Sequence, residues 1–398
     1  MQVLYITNGF PYPLTSGYLR HYHFIRELSG HGHRITLLSL AGLQHRAEDV
    51  EAMRPTTDDV RVFRTDRSRS SRARVLRRLR RAAGRDPAVV AMAGAASELG
   101  RSRKFDVVLS SGKQTLQVLA ELEGLPLVVD MTDATSVRLA GAARLADPIR
   151  RGVLALEARA MRRVETDLLR RADELVFASR RDCEALTSAL DKPPRAPATV
   201  IPNGVDLAYW RRTRPDRGTG KVVFTGGMNY PPNTDAALTL IRTVMPRVWA
   251  TAPDTRLAIV GRDPTSDLLA MATDARVTVT GFVEDVRPHL EDATVFAAPL
   301  RFGAGIQNKL LEAMAFELPV VASSIAADGL RVDAETTPPI TVADDAAPFA
   351  AAVVEALVDA TRDSRPARDA RAYVATHFDW ATSGRRLDDV LRRAVGAT

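Results

Sequence analysis

The 398 residues are 45% hydrophobic and 26% charged, with a formal charge of +7; a chain of this length exceeds one comfortable core, so two domains are expected. No apolar run approaches the roughly 18 to 20 uncharged residues needed to span a bilayer, and a lone cysteine, Cys183, excludes disulfides within the chain and cysteine-rich metal sites. Scattered histidines and the lack of any Asp-x-Asp pair argue against a dedicated metal site.

The lone cysteine fits a reducing cytoplasm, and the chain enters a strand pattern at once, Val3 to Thr7, without a signal-peptide layout. A Gly- and Pro-containing loop, Asn8 to Gly17, leads into a helix over Tyr18 to Ser29 with Leu19, Tyr22, Ile25 and Leu28 on one side. Arg34 to Leu40 is the next strand. The stretch from Arg61 to Arg85 then holds eleven arginines and one acid, Asp66; this local +10 leaves the rest of the chain at −3. Within it, Val75, Leu76 and Leu79 lie between arginines, the pattern of a basic amphipathic helix suited to an anionic membrane surface or an acidic acceptor. A solvated surface helix is the reading that stands ahead of these two, and nucleic acid is disfavoured by the lack of interleaved aromatics.

Strands follow at Asp106 to Leu109, Leu127 to Val129 and Leu175 to Ala178, with a long charged helix over Ile149 to Arg171. Ile201-Pro202-Asn203-Gly204-Val205-Asp206 breaks the pattern. Alternation restarts with strands at Lys221 to Thr225, Arg256 to Val260, Val277 to Thr280, Thr294 to Pro299 and Val320 to Ala322. From Arg371 the chain is helical, interrupted at Phe378-Asp379-Trp380. Such alternation predicts two doubly wound α/β domains with parallel sheets facing a central cleft. The expected division is 1–205 and 206–374, with the terminal helix, about 375–398, packing back on the first domain.

The densest functional signal is Gly303-Ala304-Gly305-Ile306-Gln307-Asn308-Lys309-Leu310-Leu311-Glu312, between two apolar strand patterns. A Gly-rich loop at a strand's carboxyl end, opening a helix, offers N–H groups to a phosphate. Lys309 adds positive charge, and Glu312, three residues on, can accept from sugar hydroxyls. Together they suit a nucleotide; the alternative is a surface ion pair behind a plain turn. Gly226-Gly227 and Arg262 follow two other strands and extend the same set, while Gly17 lets backbone approach a diphosphate from the opposite side. Asp130 and Asp133 follow a strand predicted to face the cleft, where one could orient or deprotonate an acceptor hydroxyl; the alternative for Asp133 is helix capping. His21 and His23 are expected to be partly exposed structural residues.

These motifs, with Phe10-Pro11-Tyr12-Pro13, Asp130-Met131-Thr132-Asp133, Pro202-Asn203-Gly204-Val205-Asp206, Gly226-Gly227-Met228-Asn229-Tyr230 and Thr280-Gly281-Phe282-Val283, occur in order along nearly the whole chain. The chain thereby resembles the GT-B glycosyltransferases of family 4, closest to bacterial sugar transferases of the exopolysaccharide and exosortase-associated group. The resemblance implies transfer of a sugar from a nucleotide-diphosphate sugar to an acceptor hydroxyl, with retention, without metal and without a further cofactor. It implies donor contacts from Gly17, Gly226, Gly227, Arg262, Phe282, Val283, Gly305, Ile306, Gln307, Asn308, Lys309 and Glu312, with Lys309, Arg262 and Asp133 as catalytic candidates. The second glutamate of the family's Glu-x7-Glu signature falls on Glu312, and the first falls on Ala304. Asn229 and Asn233 stand where many relatives carry a lysine. The implied acceptor is a glycan, a lipid-linked sugar or a small aglycone; the lone cysteine adds a cytoplasmic location, and the basic strip 61–85 adds an optional peripheral contact with an anionic membrane. A sugar-nucleotide epimerase of the same fold and a catalytically inactive nucleotide-binding partner are the alternatives.

Overall fold

The computed structural model describes residues 1–14, 18–42, 45–65, 86–102, 104–214, 220–333, 335–360 and 365–396. Gly17 and the basic strip beyond Thr65 lie outside the described residues.

The first sheet contains β1 (Gln2–Thr7), β2 (Arg34–Gly42), β3 (Asp59–Thr65), β4 (Val107–Ser111), β5 (Leu127–Asp130), β6 (Glu174–Phe177) and β7 (Ala198–Val200). Their order is β3-β2-β1-β4-β5-β6-β7, and every pairing is parallel. The second contains β8 (Lys221–Thr225), β9 (Arg256–Val260), β10 (Val277–Val279), β11 (Val295–Ala298), β12 (Val320–Ala322) and β13 (Thr341–Val342). It is again wholly parallel, in the order β10-β9-β8-β11-β12-β13. Central strands such as Val3-Leu4-Tyr5-Ile6 and Val295-Phe296-Ala297-Ala298 are apolar without alternation because helices cover both faces. Both sheets are Rossmann-like, and each reverses strand order once, between β1 and β4 and between β8 and β11. Open α/β sheets bind ligands outside the strand ends at such points.

The last two helices divide between the sheets. Helix Arg365–His377 sends Ala370 and Val374 into the core of the second. After Phe378 and Asp379, helix Trp380–Gly396 crosses to the first, where Trp380, Leu387, Val390 and Leu391 join Val3, Tyr5, Phe24 and Leu28 in one core. This helix covers helix Leu19–Gly30, and His21 and His23 are buried rather than partly exposed. The His23 ring stacks on the Trp380 indole at 4.3 Å, and burial pushes its imidazole down to about 3. His21 accepts or donates at Nδ1 to the Tyr5 hydroxyl, 3.0 Å away, and burial lowers it to about 4. Both rings are neutral core groups at physiological pH.

Candidate nucleotide-sugar site

At the second sheet's reversal point, β8 runs into Gly226-Gly227 and β11 into the loop 301–307. Gly226 has φ +153°, and a Cβ there would stand 2.5 Å from Asn233 Nδ2 and 3.2 Å from Lys309 Nζ. A Cβ on Gly261, at the end of β9, would meet Gly226 O at 1.8 Å. Only glycine lets these two strand ends touch and keeps the lysine over the turn. The loop after β11 closes on helix Asn308–Ala315, which has no side-chain N-cap; Leu310 N–H donates to Gln307 O at 2.8 Å, and the N–H groups of Asn308 and Lys309 ahead of it open toward a ligand.

Lys309 lies half-buried on that first turn. Its ammonium donates to Asn233 Oδ1 and sits 4.9 Å from the centroid of the Phe224 ring, a placement that the ring's negative face favours. Asn233 also donates through Nδ2 to Gly227 O, 3.0 Å, fixing its amide orientation. The asparagine standing where relatives carry a lysine therefore aims Lys309 instead of supplying charge. Arg262 is exposed, with Nε 3.9 Å from where a Gly227 Cβ would be. Glu312 lies one turn from Lys309, half-buried. Burial lowers Lys309 to about 8 despite the Glu312 charge, and raises Glu312 to about 7 despite Lys309. An ammonium and a carboxylate this poorly solvated are poised to gain by meeting a diphosphate and ribose hydroxyls.

The remaining predicted donor residues are dispersed around this centre. Gln307 is buried, with Nε2 3.4 Å from Ala304 O, and Asn308 Oδ1 accepts from Asn203 Nδ2 at 2.8 Å. Phe282 is 73% exposed, whereas Val283 packs against the second core. Ala304 is 7% exposed and belongs to the apolar cluster of the first domain with Met131, Ala134 and Leu168. The side chain at this position points into that apolar cluster, where an unpaired carboxylate would be costly.

Gly305, at φ +72°, lies against the first domain: a Cβ there would be 3.5 Å from Asp133 Cβ and 3.6 Å from Thr132 O. Its N–H donates to Asp182 Oδ2 at 2.6 Å, and Asp182 also accepts from Ser179 Oγ at 2.9 Å. Burial raises the Asp182 carboxyl above its ordinary range, although both hydrogen bonds oppose that shift. Asp182 thus clasps the Gly-rich loop from across the cleft. Nothing near it in sequence announces that partner, 123 residues away.

The two acids after β5 fare differently. Asp130 is fully buried and takes both Arg20 Nε at 2.9 Å and Nη2 at 3.0 Å. Arg20 Nη1 continues to Ile201 O at 2.8 Å and Asn203 Oδ1 at 2.9 Å. Asp130 is therefore a structural anchor, which corrects the expectation that it faces an acceptor. Asp133 is half-buried, and Lys113 Nζ donates to its Oδ1 at 2.7 Å and to Met131 O at 2.6 Å. Burial would raise Asp133, but Lys113, Thr135 and Arg138 together hold it below the usual carboxylate range. It is anionic, ion-paired and beside Gly305.

Comparison with known proteins follows this division. Residues 19–204 match the family described as glycosyl transferase 4-like domain, and residues 219–359 match glycosyl transferases group 1. The two parts of the chain thus match two glycosyltransferase domain models, one over each sheet. It is 32% identical over 231 residues to a glycogen synthase of Mycobacterium tuberculosis, covering 55% of this chain and 54% of that one. To a phosphatidyl-myo-inositol mannosyltransferase of Mycolicibacterium smegmatis it is 31% identical over 216 residues, covering 50% and 53%. The similarity thus spans about half the length of these curated relatives. The fold is that of HepE from Anabaena, solved with UDP and glucose, with TM-score 0.70, 17% identity and coverage of 99% and 100%. Sucrose-phosphate synthase from Thermosynechococcus elongatus shares it too, with TM-score 0.74, 16% identity and complete coverage of both chains. These GT-B structures have the same pair of Rossmann-like sheets.

Proposed function

We propose that the protein moves a sugar from a nucleotide-diphosphate sugar to an acceptor hydroxyl, with retention and without a metal ion. One observation carries the reading: Lys309, aimed by Asn233 over the Gly226-Gly227 turn, with Arg262 beside that turn and Glu312 one helical turn away. Cleavage of the bond from the sugar's anomeric carbon to the diphosphate oxygen leaves negative charge on the nucleotide. Lys309, Arg262 and the open N-terminus of helix Asn308–Ala315 are already oriented to receive it. Glu312 takes ribose hydroxyls. On the same sugar face the acceptor oxygen bonds to the anomeric carbon, and its proton passes to the departing phosphate oxygen. Asp133, held anionic by Lys113, orients the acceptor rather than serving as a base.

Support comes from HepE, solved with UDP and glucose and also with UDP-glucose, and from relatives named as synthase and mannosyltransferase. In this reading the second domain holds the donor and the first presents the acceptor. The test is release of free nucleotide from a panel of nucleotide sugars, with and without candidate acceptors. Acceptor-dependent release is expected. Isomerised sugar without acceptor points to epimerisation, and binding without turnover points to an inactive partner.

A further inference from the structure

Beside the Gly-rich loop, but outside the nucleotide crevice, lies a cavity of about 510 Å³. Helices Thr135–Leu145 and Pro148–Arg171 of the first domain form one side, and Arg301-Phe302-Gly303 of the second forms the other. Five arginines line it: Arg144, Arg159, Arg162, Arg181 and Arg301. Arg301 is paired with Asp235, Nε to Oδ2 at 2.8 Å. The other four have no carboxylate partner among the described residues. Arg162 and Arg181 are instead steadied by single carbonyls, Ala185 O at 3.2 Å and Ile325 O at 3.1 Å, which leave most of each guanidinium fork unused. Arg144 and Arg159 are exposed at the rim. Arg162 and Arg181, half-buried with most of their forks unused, and Arg144 and Arg159 at the rim converge on one cavity, and their planar forks match phosphate oxygens in pairs.

We propose that this cavity binds a phosphate group carried by the acceptor. The inference rests on the glycosyl-transfer reading, which it sharpens by naming the acceptor's chemical class. Phe302 and Gly303 form the cavity wall and lead directly into Ala304-Gly305. A phosphate held by the arginines therefore places the adjoining part of its carrier beside Gly305 and Asp133, where the donor sugar is presented. Ser136 lies in the same lining, and its buried hydroxyl has no protein partner.

The phosphate can come from a soluble phosphorylated acceptor or from a lipid headgroup. Leu145 lines the cavity and is 47% exposed, and beyond it Ile149, Val153 and Leu156, exposed by 85, 48 and 67%, share one helix face. That apolar face makes the second source worth a separate arm of the experiment.

Nucleotide binding is measured first, with uridine, guanosine, adenosine and thymidine diphosphates, so that failure of the donor site is seen independently. Inorganic phosphate is then titrated by calorimetry into the full chain, with the donor crevice saturated by the nucleotide that binds, or stripped of both its cations by Lys309→Ala with Arg262→Ala if none does. Saturable phosphate binding is expected, weakened at least tenfold by Arg144→Gln with Arg159→Gln, two exposed changes whose melting temperature checks folding. No saturable binding, or binding unchanged by the pair, overturns the proposal. Co-sedimentation with phosphatidylglycerol vesicles, against neutral phosphatidylcholine vesicles, assigns the source. Capture by the anionic vesicles alone, lost in the arginine pair, supports a lipid phosphate. A protein that stays in the supernatant yet binds phosphate supports a soluble acceptor. Equal capture by both vesicles and by the variant overturns recognition of phosphate.

Discussion

The two sheets reverse strand order in the same way, yet their crevices are equipped oppositely. In the first, two cations are spent on the protein itself: Arg20 is locked to Asp130 and Lys113 to Asp133. In the second, Lys309 is held by a neutral amide and an aromatic face, and Arg262 stands exposed beside the glycine turn. A shared topology therefore does not fix what a crevice binds. What decides is whether the positive charge is already neutralised. The first crevice commits Arg20 and Lys113 to its own carboxylates, and the second keeps Lys309 and Arg262 for an anion.

The strongest way to break this contrast is at Asp130. If it anchors structure, Asp130→Ala leaves Arg20 buried without its counter-charge and should cost about 3 to 5 kcal/mol of stability. Urea denaturation measures it, and a loss below about 1 kcal/mol would mean that the first crevice is not locked. Next in size is Lys309→Ala, expected to lower turnover by two or more powers of ten, about 3 kcal/mol, as for loss of one preorganised donor. Near-normal turnover with a raised Michaelis constant would instead assign Lys309 to ground-state binding.

Glu312 carries a smaller effect and a pH signature. Glu312→Ala should weaken nucleoside diphosphate binding by about 1.5 to 3 kcal/mol, the size of charged hydrogen bonds. Glu312, raised to about 7, becomes an acceptor as pH rises through that value, while Lys309, lowered to about 8, loses its charge as pH rises through its own. Affinity should therefore climb and then fall, with its maximum between about 7 and 8. Glu312→Gln should remove the acid limb and leave the alkaline one. Calorimetric titration across pH 6 to about 9 shows both limbs, and a flat profile in the wild-type protein would separate these groups from the ligand.

Much of this architecture is legible in the chain because parallel central strands are continuous apolar runs. The strands that escape sequence reading, β3, β7 and β13, are all sheet edges. Two of them have only three and two residues, and β3, Asp-Val-Arg-Val-Phe-Arg-Thr, carries arginines that merge with the basic strip. The Gly226, Lys309 and Glu312 set is legible because its geometry is local: a strand end, a turn, a helix start. Asp182, the Arg20–Asp130 pair and the burial of His23 are not. Each depends on a partner 110 or more residues away, so no periodicity or spacing encodes it. Ala304 shows the same limit, since its place in the first domain's core follows only from closure of the second against it.

The claim that the second crevice alone keeps charge for a diphosphate is tested most directly by titrating nucleoside, nucleoside monophosphate and nucleoside diphosphate into three proteins: wild type, Lys309→Met and Lys113→Met. Affinity in the wild type should rise with each phosphate. The diphosphate advantage should collapse in Lys309→Met and persist in Lys113→Met, whose lysine is already committed to Asp133. An advantage that survives loss of Lys309 and disappears with Lys113 would place the diphosphate in the first crevice and contradict the account.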